Sequence, residues 1–115
     1  MNQDNGKNII AAINRIRAQA SEQNMRVTQH AQQEMVEDEF TLDDVIEGIN
    51  TGEIIENYPE HKRGACCLIN GLVEEARPIH IVCTSSQPKL IIITVYEPKP
   101  PKWITPTQRR SKDEM

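Results

Sequence analysis

Arg77-Pro78-Ile79-His80-Ile81-Val82-Cys83-Thr84, then Ser85-Ser86-Gln87-Pro88, then Lys89-Leu90-Ile91-Ile92-Ile93-Thr94-Val95-Tyr96-Glu97, is the stretch on which the fold turns. Both long runs are rich in Ile, Val, Thr and Tyr, which suit a pleated, half-buried surface, and turn residues bound them. Residues 65–73 form a similar run, joined to the first by Glu74-Glu75-Ala76 alone. Upstream, Glu53-Ile54-Ile55-Glu56-Asn57-Tyr58 is a fourth run, stopped by Pro59 and followed by a polar loop over 59–64. Links this short favour antiparallel neighbours, because parallel strands need long crossovers. Pro98, Pro100 and Pro101 end the sheet.

Ahead of the strands the apolar period is helical. Ile9, Ile10, Ile13 and Ile16, with Ala20 beyond, form one stripe of a helix over 8–23. Residues 24–28 read as a short link or strand. Thr28 caps a helix over 29–37, with Ala31, Met35 and Val36 as its thin apolar face. Thr41-Leu42-Asp43-Asp44 is close to a capping box and opens a helix with Leu42, Val45, Ile46 and Ile49 on one side. Gly52 ends that helix and accepts the left-handed conformation at its close. The fold class is therefore α+β: N-terminal helices followed by a four-stranded antiparallel sheet, with the helices on one sheet face. The expected organisation is a helical extension over 1–23, the domain over 24–103 and a flexible tail over 104–115.

A chain of 115 residues suits one domain. Its formal net charge of −4 argues against a protein that coats nucleic acid non-specifically. Charge is segregated along the chain. Acid gathers in Glu34, Glu37, Asp38, Glu39, Asp43, Asp44 and Glu47, and base in Lys62-Arg63, Lys99, Lys102, Arg109, Arg110 and Lys112. Cys66, Cys67 and Cys83 have no C-x-x-C spacing and read as small buried residues in strands. No apolar leader segment is visible, and no run approaches the ~20 apolar residues of a membrane helix. The cytoplasm is the expected compartment, with no membrane partner.

Pairing rules place side chains on faces. With 74–76 as a three-residue turn, Asn70 lies opposite His80, and Leu68 opposite Val82. With the next turn centred on Gln87, His80 lies opposite Thr94 and diagonal to Tyr96. Side chains alternate, so Cys67, Ile69, Ile79, Ile81, Cys83, Ile91, Ile93 and Val95 share an apolar face that meets the helices. The other face gathers Asn70, His80, Thr94 and Tyr96, all able to hydrogen-bond.

His80 is the candidate general acid or base, because imidazole exchanges protons near neutral pH. Tyr96 orients a substrate or donates a proton, and Arg77 offers a guanidinium to a pentavalent phosphate. Those three groups suffice for RNA cleavage without a metal, with Asn70 and Thr94 as flanking substrate contacts. His30, at a helix start, either joins this site or fixes the helix end. His61, Lys62 and Arg63 form a charged loop that either contacts phosphate or is solvated. The three histidines share no metal-ligand spacing, so neither metal nor other cofactor is expected. The competing reading is that His80 and Tyr96 only fill the sheet. Trp103 either seals the core or anchors a partner.

Thr28-Gln29-His30-Ala31, Thr41-Leu42-Asp43-Asp44-Val45 and Gly52-Glu53-Ile54-Ile55-Glu56-Asn57-Tyr58-Pro59 resemble a small bacterial family catalogued as a domain of unknown function. Arg77-Pro78-Ile79-His80-Ile81-Val82 and Ile93-Thr94-Val95-Tyr96-Glu97-Pro98, with Trp103 beyond, complete the resemblance, which spans about residues 26–103. That family is similar to the RelE/ParE/BrnT-type toxins, and its members are often encoded beside an MqsA-like zinc-finger antitoxin. The resemblance implies helices followed by an antiparallel sheet, and an endoribonuclease toxin of a type II toxin–antitoxin system held in check by its antitoxin. Relatives often carry arginines after the His-Ala pair, where this chain has Glu34-Met35-Val36-Glu37-Asp38. That acidic helix favours a second reading, a non-catalytic protein-interaction module that has kept the toxin fold.

Overall fold

The computed structural model describes residues 3–110, with side chains from residue 9 onward. The expected tail from residue 111, including Lys112, lies outside the described residues.

Local signals set the helix ends. In α2 (Gln29–Asp38) the Thr28 hydroxyl accepts the Ala31 N–H at 3.1 Å. The helix stops where Glu39 turns left-handed (φ 59°), which lets Phe40 N–H reach back to the Met35 carbonyl at 2.8 Å. In α3 (Leu42–Thr51) the capping box is complete: Asp44 N–H donates to the Thr41 hydroxyl at 3.1 Å, and Thr41 N–H to the Asp44 carboxylate at 2.9 Å. Gly52 does end α3, but not in the expected left-handed conformation; its backbone is extended (φ −94°). Glycine is required there by space, since a Cβ would stand 2.5 Å from the Gly48 carbonyl and from Ile69 Cγ2.

α1 (Gln3–Ser21) packs on the core of the sheet and helices. Ile13, Ile16 and Ala20 are buried, and the helix packs on α3. Arg17 donates to the carbonyls of Ile49 (3.2 Å) and Gly52 (2.8 Å), tying α1 to the open C-terminal end of α3.

The strands are β1 (Met25–Val27), β2 (Glu53–Tyr58), β3 (Cys66–Val73), β4 (Arg77–Thr84) and β5 (Leu90–Tyr96). They form one mixed five-stranded sheet in the order β1-β5-β4-β3-β2. The sheet is thus one strand larger than expected, and not wholly antiparallel: β1 pairs parallel with β5, Met25 opposite Leu90 and Val27 opposite Ile92. β3 and β4 pair in the expected register, Leu68 opposite Val82 and Asn70 opposite His80. The register of β5 departs from expectation. Tyr96 lies directly opposite His80, and Thr94 opposite Val82. Between them and the turn, Cys83 meets Ile92, so Ile93 is an extra residue, a β-bulge. The bulge inverts alternation, and Leu90 and Ile92 fill the helix side where Ile91 and Ile93 were expected.

The outer edge of β5 explains the acidic helix. β1 covers the strand only as far as Ile92. Beyond that, Thr28 Oγ donates to the Ile93 carbonyl at 3.0 Å. Glu34 and Asp38 on α2 then accept the Val95 and Glu97 N–H groups at 2.9 and 2.8 Å. Two of the acids are therefore sheet-edge partners, not a solvated face. α3 lies directly on β3, with its backbone so close that a Cβ at Gly71 would be 2.1 Å from the Gly48 carbonyl oxygen.

Downstream, residues expected to be loose are folded. β6 (Trp103–Thr105) and β7 (Gln108–Arg109) make a separate two-stranded hairpin. Trp103 is buried, and the hairpin lies over the sheet face opposite the helices, where His80 is found.

Candidate functional site

His80 sits in the middle of β4 and is fully buried. One ring nitrogen, Nδ1, lies 3.0 Å from the Tyr96 hydroxyl. The other, Nε2, lies 2.7 Å from the Pro106 carbonyl oxygen, at the hairpin tip. A carbonyl can only accept, so Nε2 carries the proton and Nδ1 accepts from the Tyr96 O–H. The Trp103 ring meets the imidazole edge-on at 4.4 Å, and the Tyr96 ring does so at 5.2 Å. Burial holds the imidazole below its ordinary pKa, partly offset by the Pro106 hydrogen bond and the Glu56 charge. Burial also pushes the Tyr96 phenol up. The Trp103 indole N–H is buried without a hydrogen bond of good geometry.

The rim is ionic. Glu56 lies opposite Leu68 in the row that includes Asn70 and His80. Its carboxylate accepts both arms of the Arg109 fork, at 2.8 and 3.1 Å, and the Tyr58 hydroxyl. Arg109 holds the Glu56 carboxyl below the usual range, and burial beside that carboxylate pushes the Tyr58 phenol up. The same guanidinium lies 4.5 Å above the Trp103 ring. An imidazole, two phenols, a carboxylate and a guanidinium thus share one sheet face.

Arg77 is not among them, which corrects the expected site. It lies three positions from His80, and an odd spacing on a strand points to the opposite face. There it pairs with Glu97 at 2.9 Å, donates to the Asp38 and Glu39 carbonyls, and lies 4.0 Å over the Phe40 ring. It closes the C-terminal end of α2. The cleft beside it, about 500 Å³, is lined by Glu39, Asp44, Glu74, Glu75 and Glu97, a setting that repels phosphate. The guanidinium on the His80 side is Arg109. It escaped the sequence reading because the hairpin that delivers it has no strand pattern of its own.

The other expected contacts divide. Asn70 lies directly across from His80, and its side-chain oxygen is buried without a partner. Thr94 is half-buried two pairs further along, on the same face. His30 is exposed on α2, 3.3 Å from Glu34, and joins no site. Lys62 and Arg63 are exposed in the β2–β3 loop, where Arg63 N–H donates to His61 Nδ1 at 3.1 Å, a contact internal to the loop. All three cysteines are free and buried. Among the described residues no helix is long and apolar enough to cross a membrane.

Fold and site together define a small α+β domain whose central histidine–tyrosine pair lies beneath a C-terminal hairpin. A family model described as Domain of unknown function (DUF4258) matches residues 27–97, more than half of the chain, and the chain belongs to that family. The matched segment contains Glu56, Tyr58, His80 and Tyr96; Trp103 and Arg109 lie beyond it. No curated protein and no solved structure matches the chain.

Proposed function

We propose that this protein is the toxin component of a type II toxin–antitoxin system, with a RelE/ParE/BrnT-like fold, and that it cleaves RNA without a metal. The observation that carries the reading is the gathering of His80, Tyr96, Tyr58, Glu56 and Arg109 on one face. In such a reaction a base removes the ribose 2′ proton and the 2′ oxygen attacks phosphorus. The 5′ oxygen leaves with a proton from an acid, giving a 2′,3′-cyclic phosphate. His80 takes the 2′ proton, Tyr96 orients its ring and donates the proton that the leaving 5′ oxygen needs, and Arg109 balances the charge on the pentavalent phosphate. The working compartment is the cytoplasm, the substrate is RNA, and the protein partner is a cognate antitoxin of the MqsA-like zinc-finger kind.

A second reading is a non-catalytic interaction module. It is favoured by the burial of His80, whose two nitrogens are both spent on internal hydrogen bonds. Expression in a bacterial host separates the two. The toxin reading expects growth arrest and cleaved RNA, both relieved by His80→Ala. Normal growth with intact RNA, from protein shown to be folded, would sink it in favour of the module.

A further inference from the structure

We propose that the Trp103–Arg109 hairpin is a built-in ligand of the His80 face, standing where an external phosphodiester binds, and that Arg109 exchanges the Glu56 carboxylate for that phosphate as the hairpin lifts. The inference rests on the RNA reading above and names how that site is occupied and opened.

The hairpin pairs with itself and has no backbone ladder to the five-stranded sheet. A two-stranded hairpin alone is marginal in water, so side chains must hold it down. Three contacts do so: the Pro106 carbonyl on His80 Nε2, the Arg109–Glu56 pair, and the Trp103 ring against the imidazole. Each involves a group with a use in binding RNA. The carbonyl occupies the position of an acceptor oxygen on an N–H donor, which is also the place a non-bridging phosphate oxygen takes. Arg109 presents a planar fork suited to carboxylate and phosphate alike. Its side chain and that of Glu56 are 40% and 27% exposed, so water reaches the pair and exchange is cheap. Lys102, Arg109 and Arg110 bring three cations to this one segment of an acidic chain. Burial of Trp103 keeps the lid shut until a ligand arrives.

Lifting the hairpin also changes what His80 can do. The closed site fixes the proton on Nε2. Once Pro106 leaves, Nε2–H can donate to a non-bridging phosphate oxygen in its place, or the proton can move to Nδ1 and be donated to the Tyr96 oxygen, which leaves the Nε2 lone pair for a ribose 2′-hydroxyl. Among the described residues, Glu56, Tyr96, Lys102 and Arg109 are the ionisable groups that act on that ring, and Tyr58 joins them through Glu56. Asn70 adds a second pointer, since its buried, partnerless oxygen is an acceptor that a ribose hydroxyl would satisfy.

Trp103 is the single tryptophan of the chain, so its emission reports the hairpin alone. The probes are a short single-stranded DNA, which lacks the 2′-hydroxyl and cannot follow the cleavage route, and an RNA of the same sequence. DNA is expected to shift Trp103 emission to the red in a saturable way. Glu56→Gln removes the competing charge and tightens binding about five-fold, the equivalent of a surface pair worth about 1 kcal/mol. Arg109→Ala weakens it ten-fold or more, as expected for a lost charged contact. Circular dichroism of both variants confirms that the sheet is retained. No binding, binding with static emission, or equal affinity in all three proteins overturns the proposal. DNA that opens the hairpin while RNA stays uncleaved upholds this site and sinks the nuclease. RNA cleavage with static emission does the reverse.

Discussion

The two faces of the sheet bury their central residues equally well but with different materials. On the helix side Ile69, Ile79, Ile81 and Ile92 are fully buried in one continuous apolar cluster that also takes in α1, α2 and α3. On the hairpin side His80 and Leu68 are just as inaccessible, but only one large apolar side chain, Trp103, is buried from the hairpin; the rest of the cover is a carbonyl hydrogen bond and a half-exposed ion pair. Apolar burial contributes about 1.5–3 kcal/mol per large side chain. A hydrogen bond nets about 1 kcal/mol, and an exposed ion pair about 0–1. Equal burial therefore does not mean equal attachment. The helix face holds the fold together, and the hairpin face is the one that can be uncovered.

Substitutions test that contrast, beginning with the largest effect. Gly71→Ala forces a methyl into the backbone of α3, where the Gly48 carbonyl would be 2.1 Å away. Overpacking against rigid backbone should cost about 3 kcal/mol in a urea titration; wild-type stability would show that the helix face yields after all. Arg77→Ala removes the cap from α2 and the contact over Phe40. A loss of about 1–2 kcal/mol is expected, with Trp103 emission unchanged. A large shift in Trp103 emission at full stability would return Arg77 to the His80 face.

The pH dependence is a smaller effect with a definite sign. His80 titrates below its unfolded value, so the unfolded chain binds more protons in that window. Stability present above the unfolded value of about 6.5 should fall as acid is added, down to the folded value. Subtracting the profile of His80→Gln should remove this component, and identical profiles would mean that the ring is solvated. The smallest change is expected for Arg109→Ala: about 0.5 kcal/mol in global stability, because the pair is exposed. The same variant should visibly alter Trp103 emission. A loss of several kcal/mol would make the hairpin as integral as the helices.

The parts of the fold visible in the sequence were those fixed by local rules. Thr28, Thr41 and Asp44 cap as their types dictate, and a three-residue link set the β3–β4 register, bringing Asn70 opposite His80. What stayed hidden depended on distant partners. β1 is only three residues long and exists because β5 offers it an edge. The bulge at Ile93 has no signature in a run of three isoleucines; its one extra residue adds to a turn one residue wider than expected, and together they place Tyr96 directly opposite His80. The acids of α2 look solvent-facing until the bare N–H groups of Val95 and Glu97 are seen beside them. Arg77 was misassigned for a different reason, since its odd spacing from His80 already separated the two. Arg109 reaches the site only through a turn in a proline-rich segment that alternation rules do not describe.

The proton on His80 Nε2 has a consequence for reagents that acylate imidazoles. They attack an unprotonated nitrogen, and the bare nitrogen of His80 faces inward to Tyr96 while its N–H faces the Pro106 oxygen. His30 is exposed on α2 beside Glu34, while His61 is half-buried and its Nδ1 accepts the Arg63 N–H. Mass mapping after brief diethyl pyrocarbonate treatment should find His30 carbethoxylated first and His80 untouched. The protein thus carries its own shielded residue and an exposed control.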